Sequence, residues 1–533
     1  MNRRDFLLAS AAVALAPRTS RAASGRIEIL PDEPIGKISP AIYGHFTEHL
    51  GGCIYDGIWV GENSRIPNEG GIRKAVIDHL KRIQAPVIRW PGGCFADSYN
   101  WRDGIGPRNE RPKRTNFWAE TDILKKSDGG PQKYEPNEFG TNEFARFCKL
   151  AGAEPYFAGN LRSLSAFDFY EWIDYCNSPR GKTSMADLRA RGGDPEPLNV
   201  KYWGVGNESW GCGGDFTGDE YAVEFRRYTT WVPTSGLDLK YVASGPNVAD
   251  YAWTRSFFSK MTEHGRNPLR TVFGTALHYY CGTTGNGVAN EFDNAQWYEL
   301  LNKANRMQDL VTGHWQIMGE YDPDHKVKLV VDEWGAWHHT ADPPIATNYL
   351  WAYYPTLRDA LVSSITLDTF NRHAEKISMA NAAQLMNNIH TSFLAAEDKF
   401  TVTPIYHVFD MYAAHQGNTA VRTVFSVPSL SDPEAKGLFG LSGSCSIRGK
   451  HVVLTVTNPD IRNPQTAEIV VRGATVSSAR ATYLTSNDIH ARNTFADPEA
   501  VKPSSGSASG AASSGGVQTF PPASVTRLEF DLS

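Results

Sequence analysis

Apolar, strand-like runs alternate with segments of helical period from about residue 38 to residue 390, and this alternation restricts the fold more than any other feature. Between the first two runs, for example, Val76, Leu80 and Ile83 recur at helical spacing. Strands that alternate with helices are typical of parallel β/α folds. Eight strand-like runs can be counted, namely AIYGHF, PVIRWP, EPYFAGN, VKYWGVGNE, KYVASGP, TVFGTALHYY, VKLVVDE and SITLDTFNRH.

Two architectures fit eight such units, a closed barrel and a doubly wound open sheet. Polar residues follow nearly every run here, whereas an open sheet gathers its ligand chemistry at one switch point. We therefore predict an α/β fold, a (β/α)8 TIM barrel over residues 38–395, with functional side chains at the carboxyl ends of its strands.

The remainder of the chain has a different pattern. Short β runs separated by turn residues, HVVLTVTN, AEIVVRG, ARATYL and SVTRLEFDL, predict an all-β second domain over residues 396–533, a jelly-roll-like β-sandwich. The strand-like RIEIL, within residues 23–37, precedes the barrel and is expected to join that sandwich.

The first 22 residues resemble a twin-arginine export signal. Arg3 and Arg4 precede a short apolar run, residues 7–16, and small residues surround a cleavage site after Ala22. The run is shorter than the roughly 20 residues that span a membrane. The pattern therefore predicts an exported protein, periplasmic or secreted, without a membrane partner.

Composition narrows the choice of ligand. A net charge of −5 without a polybasic stretch argues against a nucleic-acid partner. The 14 Trp, 22 Tyr and 25 Phe favour a carbohydrate, because aromatic faces stack on the C–H faces of sugars. The seven cysteines show no CxxC spacing, so we predict neither a metal nor a cofactor, and the pairing of the cysteines stays open.

Two strand-like runs end in the same way, WGVGNE at Glu208 and KLVVDE at Glu333. In a barrel these are the fourth and seventh strands, which can direct two carboxylates across one mouth. Glycoside hydrolysis needs such a pair, one group to protonate the leaving oxygen and one to attack the sugar or activate water. One glutamate alone could equally be an ion-paired rim residue, but two, each near a tryptophan, favour a glycosidase.

Several longer motifs carry a resemblance to a known family. They are IYGHFTEHLGGCIYDGIWVGENS, VIRWPGGCFADSYNWRDGIGPRNERP, WGVGNESWGCGG, LHYYC, VVDEWGAWH, ANAAQLMNNI and TPIYHVFDMYAAHQG. From about residue 36 onward the chain resembles glycoside hydrolase family 51, the retaining α-L-arabinofuranosidases. The resemblance implies double displacement with Glu208 as acid/base and Glu333 as nucleophile. It also implies terminal arabinofuranosyl residues of arabinan or arabinoxylan as substrate, and a homo-oligomer, a hexamer or smaller.

By motif position the resemblance also implies a sugar pocket. Its expected substrate-binding residues are Glu48, Cys94, Asn207, His278, Tyr280, Trp337 and Gln384, with Arg89 in a supporting place. A buried sugar with several hydroxyls needs such donors and acceptors, since each unpaired group costs about 1–3 kcal/mol. Any one of these residues alone could instead be a hydrogen-bonding core residue.

Two departures from the family pattern leave the substrate open. Many members have Asn where RWPGGCF has Cys94, and a thiol is a weak partner for a sugar; the 159–166 loop also differs. Two alternatives remain. One is the same mechanism on another furanoside or a β-xyloside, and the other is an inactive secreted glycan-binding protein.

Overall fold

The computed structural model describes residues 25–125, 130–265, 267–282, 289–338, 349–508 and 516–533. Eight parallel strands close into a barrel in chain order, which confirms the predicted TIM barrel. The barrel strands, first to eighth, are Gly44–Phe46, Val87–Trp90, Glu154–Gly159, Tyr202–Val205, Lys240–Ala243, Val272–Gly282, Lys328–Trp337 and Ile377–Ala383.

Seven of the eight predicted runs coincide with these strands, but the prediction of a strand at SITLDTFNRH is wrong. That stretch belongs to the helix Leu357–Arg372, and the eighth strand follows it at Ile377–Ala383. Every residue of the helix from Leu357 to Asn371 is buried. A helix buried on all sides shows no amphipathic period, and its β-branched Ile365 and Thr366 imitate a strand.

Helices surround the barrel, and their apolar faces form its outer core. They are Lys74–Arg82, Thr141–Ala151, Ala166–Asn177, Ser184–Arg191, Gly218–Thr229, Tyr251–Thr262, Asn294–Tyr321, Leu357–Arg372 and Pro404–Tyr412, with the short Asp122–Lys125 and Gly130–Lys133. The first of them buries Val76, Ile77 and Leu80, as its period predicts. The last packs against Leu357–Arg372 and lies beyond the division that we placed after residue 395.

The second domain is a nine-stranded sheet, as the fold prediction requires. From one edge to the other its strands are Ser504–Ser507, Val476–Thr485, Ser524–Leu532, His451–Asn458, Ser442–Arg448, Thr419–Ser426, Gly25–Lys37, Gln465–Val471 and Gly516–Phe520. The sheet encloses its own core, to which Ile27, Leu454, Phe520 and Leu528 contribute. Short two-stranded ladders complete the structure at Asn68–Glu69 with Ile72–Arg73, Arg114–Thr115 with Tyr134–Glu135, and Phe393–Ala396 with Lys399–Val402.

A buried carboxyl group joins the two domains. Asp368, on the helix Leu357–Arg372, accepts hydrogen bonds from Ser444 and Thr455 of the sheet, at 2.6 Å each, and from Tyr412 at 2.9 Å. Burial raises the pKa of Asp368 to about 7. These bonds connect the sheet domain to the helices of the barrel.

Within the described residues, no helix combines the length and the apolar character that a membrane crossing requires. Residues 1–22, on which the prediction of export depends, lie outside the described part of the chain.

Candidate active site

The carboxyl ends of the barrel strands surround a cavity of about 300 Å³. Both predicted catalytic carboxylates, Glu208 and Glu333, line it. The other lining residues are Glu48, Leu50, Gly93, Cys94, Trp118, Trp210, Asn247, Val248, His278, Tyr280, Trp337, Trp351, Gln384 and Ile389. The barrel thus brings together residues that the sequence separates by more than 300 positions.

Glu333 is held at both of its carboxylate oxygens. It lies within the seventh strand, Lys328–Trp337, and is 5% exposed. Arg89 donates to Oε1 at 2.7 Å, and Tyr280 donates to Oε2 at 2.8 Å. Burial alone would raise the pKa of Glu333, but the charges of His278 and Arg89 and these hydrogen bonds outweigh burial and hold that pKa below its usual value. The carboxylate is therefore ionised and fixed in orientation, as a nucleophile must be.

Arg89 organises the floor of the site from the second strand. Its guanidinium also donates to Asn207 Oδ1 at 2.6 Å, and its Nε lies 3.3 Å from Asp332 Oδ2. Burial opposes the charge on Arg89, but Asp332 and Glu333 raise the pKa of the guanidinium well above its usual range. Arg89 thus supports the site from beneath and is not itself among the cavity-lining residues.

Glu208 follows the fourth strand and faces Glu333 across the cavity. His278 lies between the two, with its Nδ1 3.0 Å from Glu208 Oε1 and 3.6 Å from Glu333 Oε2. One oxygen of each glutamate and a ring nitrogen of His278 all lie within 4.8 Å of one another. Burial lowers the pKa of His278, but the two carboxylates reverse that effect and raise it.

Glu48 is a third carboxyl group at the cavity, just after the first strand. Its Oε1 accepts from the Phe95 backbone N–H and its Oε2 from Gln384 Nε2, both at 3.0 Å. Burial, followed by repulsion from Glu333, raises the pKa of Glu48 to about 8. Below that pH the carboxyl group can donate a hydrogen bond to a sugar hydroxyl as well as accept one.

Cys94 differs from its prediction. It forms a disulfide with Cys212, although the sequence left the pairing open. A disulfide has no S–H group, so the predicted thiol contact to the sugar is absent, while the side chain still lines the cavity. The two sulfur atoms lie 3.9 and 3.8 Å from Glu208 Oε2. The bond joins the loop after the second strand to the loop that carries Glu208.

Four tryptophans form the wall of the cavity, and only Trp337 was predicted. Its ring contacts Tyr280 and Trp351, with centroids 5.2 and 4.9 Å apart, and Trp351 contacts Trp118 at 5.3 Å. Trp210, two residues after Glu208, completes the set. Trp210 was recognisable from its place beside the acid. Trp118, in the short 3-10 helix Phe117–Glu120, and Trp351, in a turn, come from segments whose positions no motif indicates.

The chain matches known proteins along most of its length. Residues 79–279 match the family described as Alpha-L-arabinofuranosidase 1 domain, and residues 332–524 the one described as Alpha-L-arabinofuranosidase C-terminal domain. An "Intracellular exo-alpha-L-arabinofuranosidase" from Bacteroides ovatus is 36% identical over 93% of this chain and 94% of its own. An "Intracellular exo-alpha-(1->5)-L-arabinofuranosidase" from Acetivibrio thermocellus is 33% identical over 68% of this chain and 70% of its own. The crystal structure of the GH51 arabinofuranosidase from Xanthomonas axonopodis pv. citri has a TM-score of 0.88 at 35% identity, covering 95% of this chain and 100% of that one.

These relatives overturn one prediction. Export to the periplasm or the medium is wrong, because the B. ovatus and A. thermocellus relatives are both named intracellular enzymes. The prediction depended on an arginine pair before about ten apolar residues.

Proposed function

Because the chain belongs to glycoside hydrolase family 51 and is an exo-acting α-L-arabinofuranosidase, we propose that it retains the anomeric configuration through double displacement. The supporting observation is that one carboxyl oxygen of Glu208 and one of Glu333 lie within 4.8 Å of each other. Retaining glycosidases place their carboxyl groups about 5–5.5 Å apart, whereas inverting enzymes need about 6.5–9.5 Å for a water. The activity of the family also removes the alternative of an inactive glycan-binding protein.

In the first step, a carboxylate oxygen of Glu333 attacks the anomeric carbon. The bond from that carbon to the leaving oxygen breaks, its electron pair stays on the oxygen, and Glu208 supplies the proton. Arg89 and Tyr280 keep Glu333 ionised for the attack. The product is a glycosyl ester on Glu333 and a free alcohol.

In the second step, a water attacks the same carbon and gives its proton to Glu208, now a carboxylate. The ester bond breaks, Glu333 is released as a carboxylate, and the sugar leaves with its original configuration. His278 Nδ1 lies 3.0 Å from Glu208 Oε1, so His278 is beside Glu208 both when Glu208 loses its proton and when it regains one.

The proposed substrate is a terminal, non-reducing α-L-arabinofuranosyl residue on arabinan or arabinoxylan. The small cavity and its aromatic wall support one sugar inside and an acceptor chain outside. The second candidate is another furanoside or a β-xyloside, which the departures at Cys94 and the 159–166 loop suggested. Cys94 is in a disulfide, and among the described cavity-lining residues none comes from the 159–166 loop.

The test is hydrolysis of p-nitrophenyl α-L-arabinofuranoside, followed by proton NMR of the first product anomer. We expect α-arabinofuranose first, and a loss of at least about 1,000-fold in kcat for Glu333→Ala. Glu320→Ala, at an exposed ion pair with Arg255, is the control. A β-configured first product would refute retention. Faster turnover of a p-nitrophenyl β-xyloside than of the arabinofuranoside would refute the proposed choice of substrate.

A further inference from the structure

The turn that carries Glu208 has an unfavourable backbone. Glu208 has φ 41°, in the left-handed region that residues other than glycine seldom adopt. The direction of the Glu208 side chain depends on this conformation. A turn of this kind persists only where the surrounding structure holds it.

Asp97 holds the turn from one side. It lies in the short 3-10 helix Ala96–Ser98 after the second strand, and it is fully buried. Its Oδ2 accepts from the Asn207 backbone N–H at 2.9 Å, and its Oδ1 from those of Leu161 and Arg162, at 2.7 and 3.2 Å. One carboxyl group therefore ties together the ends of the second, third and fourth barrel strands.

Ser244 holds the turn from the other side. Its Oγ accepts from the Ser209 backbone N–H at 3.0 Å, and its own N–H donates to the Tyr221 hydroxyl at 2.7 Å. The backbone is thus bound immediately before and immediately after Glu208. Neither Asp97 nor Ser244 is among the residues that line the cavity.

We propose that Asp97, assisted by Ser244, is a positioning residue that holds the acid/base Glu208 over the leaving oxygen. This proposal rests on the proposed function, since it needs Glu208 to be the proton donor. Asp97 itself does not touch the sugar. All three of its partners are N–H donors, so only the carboxylate form accepts from each of them without competition.

Asp97→Asn is the variant that tests this role. It preserves size, but its amide turns an N–H group toward at least one backbone N–H, which then loses its acceptor. The turn relaxes and moves Glu208, and a displacement of about 1 Å costs roughly 100-fold in rate. Ser244→Ala removes one bond only, and its expected loss is smaller, about threefold to tenfold.

The readout is kcat/KM for aryl α-L-arabinofuranosides with leaving groups from 2,4-dinitrophenol to phenol. Dinitrophenol leaves without a proton, so we expect Asp97→Asn to stay within about twofold of wild type there and to lose roughly 10- to 100-fold with phenol. Azide, which needs no general base, should accelerate turnover of the dinitrophenyl substrate by the variant. Asp368→Asn, which also removes a buried carboxylate with three hydrogen bonds, is the matched control, and we expect no dependence on the leaving group.

Three outcomes separate the possibilities. Equal losses for all leaving groups, or no loss with phenol, would overturn the role of Asp97. If Asp97→Asn does not fold, Ser244→Ala takes its place. A loss in kcat/KM that grows from dinitrophenol to phenol supports the proposal, and an equal loss for all leaving groups overturns it. Glu208→Gln is measured alongside, because a flat response there would mean that Glu208 is not the acid and that the proposed function has failed first.

Discussion

Replacing Tyr280 with Phe isolates one hydrogen bond to the nucleophile. The ring and its edge-on contact with Trp337 remain, and only the bond from the hydroxyl to Glu333 Oε2, at 2.8 Å, is lost. A hydrogen bond to a charged group contributes about 1.5–3 kcal/mol, and one pKa unit corresponds to about 1.4 kcal/mol. Because the bond favours the ionised form, its loss should raise the pKa of Glu333 by roughly one to two units. Arg89 still binds the other oxygen, so the carboxylate keeps its orientation.

The assay is the pH dependence of kcat/KM with p-nitrophenyl α-L-arabinofuranoside. The acid limb of this profile reports the pKa of Glu333 in the free enzyme, so the limb should move to higher pH by the same one to two units. Tyr279→Phe is the control, because the Tyr279 hydroxyl donates instead to the Lys303 carbonyl, at 2.7 Å. An acid limb that stays in place while kcat/KM falls equally at every pH would refute the reasoning, and would make Tyr280 a sugar contact only.

Three further perturbations follow from the structure. Gly93→Ala would place a Cβ 2.7 Å from Glu333 Oε1, so we expect a loss of about 100-fold in kcat without a change in the urea midpoint; full activity would contradict this. Asp368, whose pKa burial raises from 3.8 to about 7, contributes stability at low pH that is lost as pH rises to that value. Between pH 5 and pH 8, the free energy of unfolding of wild type, measured with urea, should therefore fall by about 3 kcal/mol relative to that of Asp368→Asn. Parallel pH profiles for the two proteins would contradict this prediction. Reduction of the Cys94–Cys212 disulfide, which closes a separation of 118 residues, should lower the free energy of unfolding by about 2–4 kcal/mol, and identical urea curves with and without a phosphine reductant would argue against it.

The fold was predictable wherever a strand had a helix of clear period beside it. It was not predictable at Leu357–Arg372, which lies between the barrel and the sheet domain and is buried along its length. A signal was nevertheless present at its start, where the side chain of Asp359 accepts from the Thr356 backbone N–H as part of a capping box. That arrangement begins a helix, and it should have outweighed the β-branched residues that follow.

The site was predictable where chemistry requires a residue type at a strand end. Glu208 and Glu333 were found in this way, and the family motifs supplied Glu48 and Gln384, which bind each other at 3.0 Å. Contacts between loops were not predictable, because loop length and composition do not determine which loops meet. The Cys94–Cys212 pairing is the clearest example, since seven cysteines leave many pairings open.

The charge of the cavity depends on Arg89, which pairs with two carboxyl groups at once. Asp332 and Glu333 both contact Arg89, so one guanidinium is shared between two side chains, and the ionised Glu333 keeps a negative charge beside the sugar site. The raised pKa values of Glu48 and His278 respond to that charge, since repulsion from Glu333 contributes to the first and attraction to Glu333 to the second. The transition state of glycoside hydrolysis is oxocarbenium-like and carries positive charge, whereas the bound sugar is neutral. A fixed negative charge therefore stabilises the transition state more than the substrate, and this difference in binding accelerates the reaction.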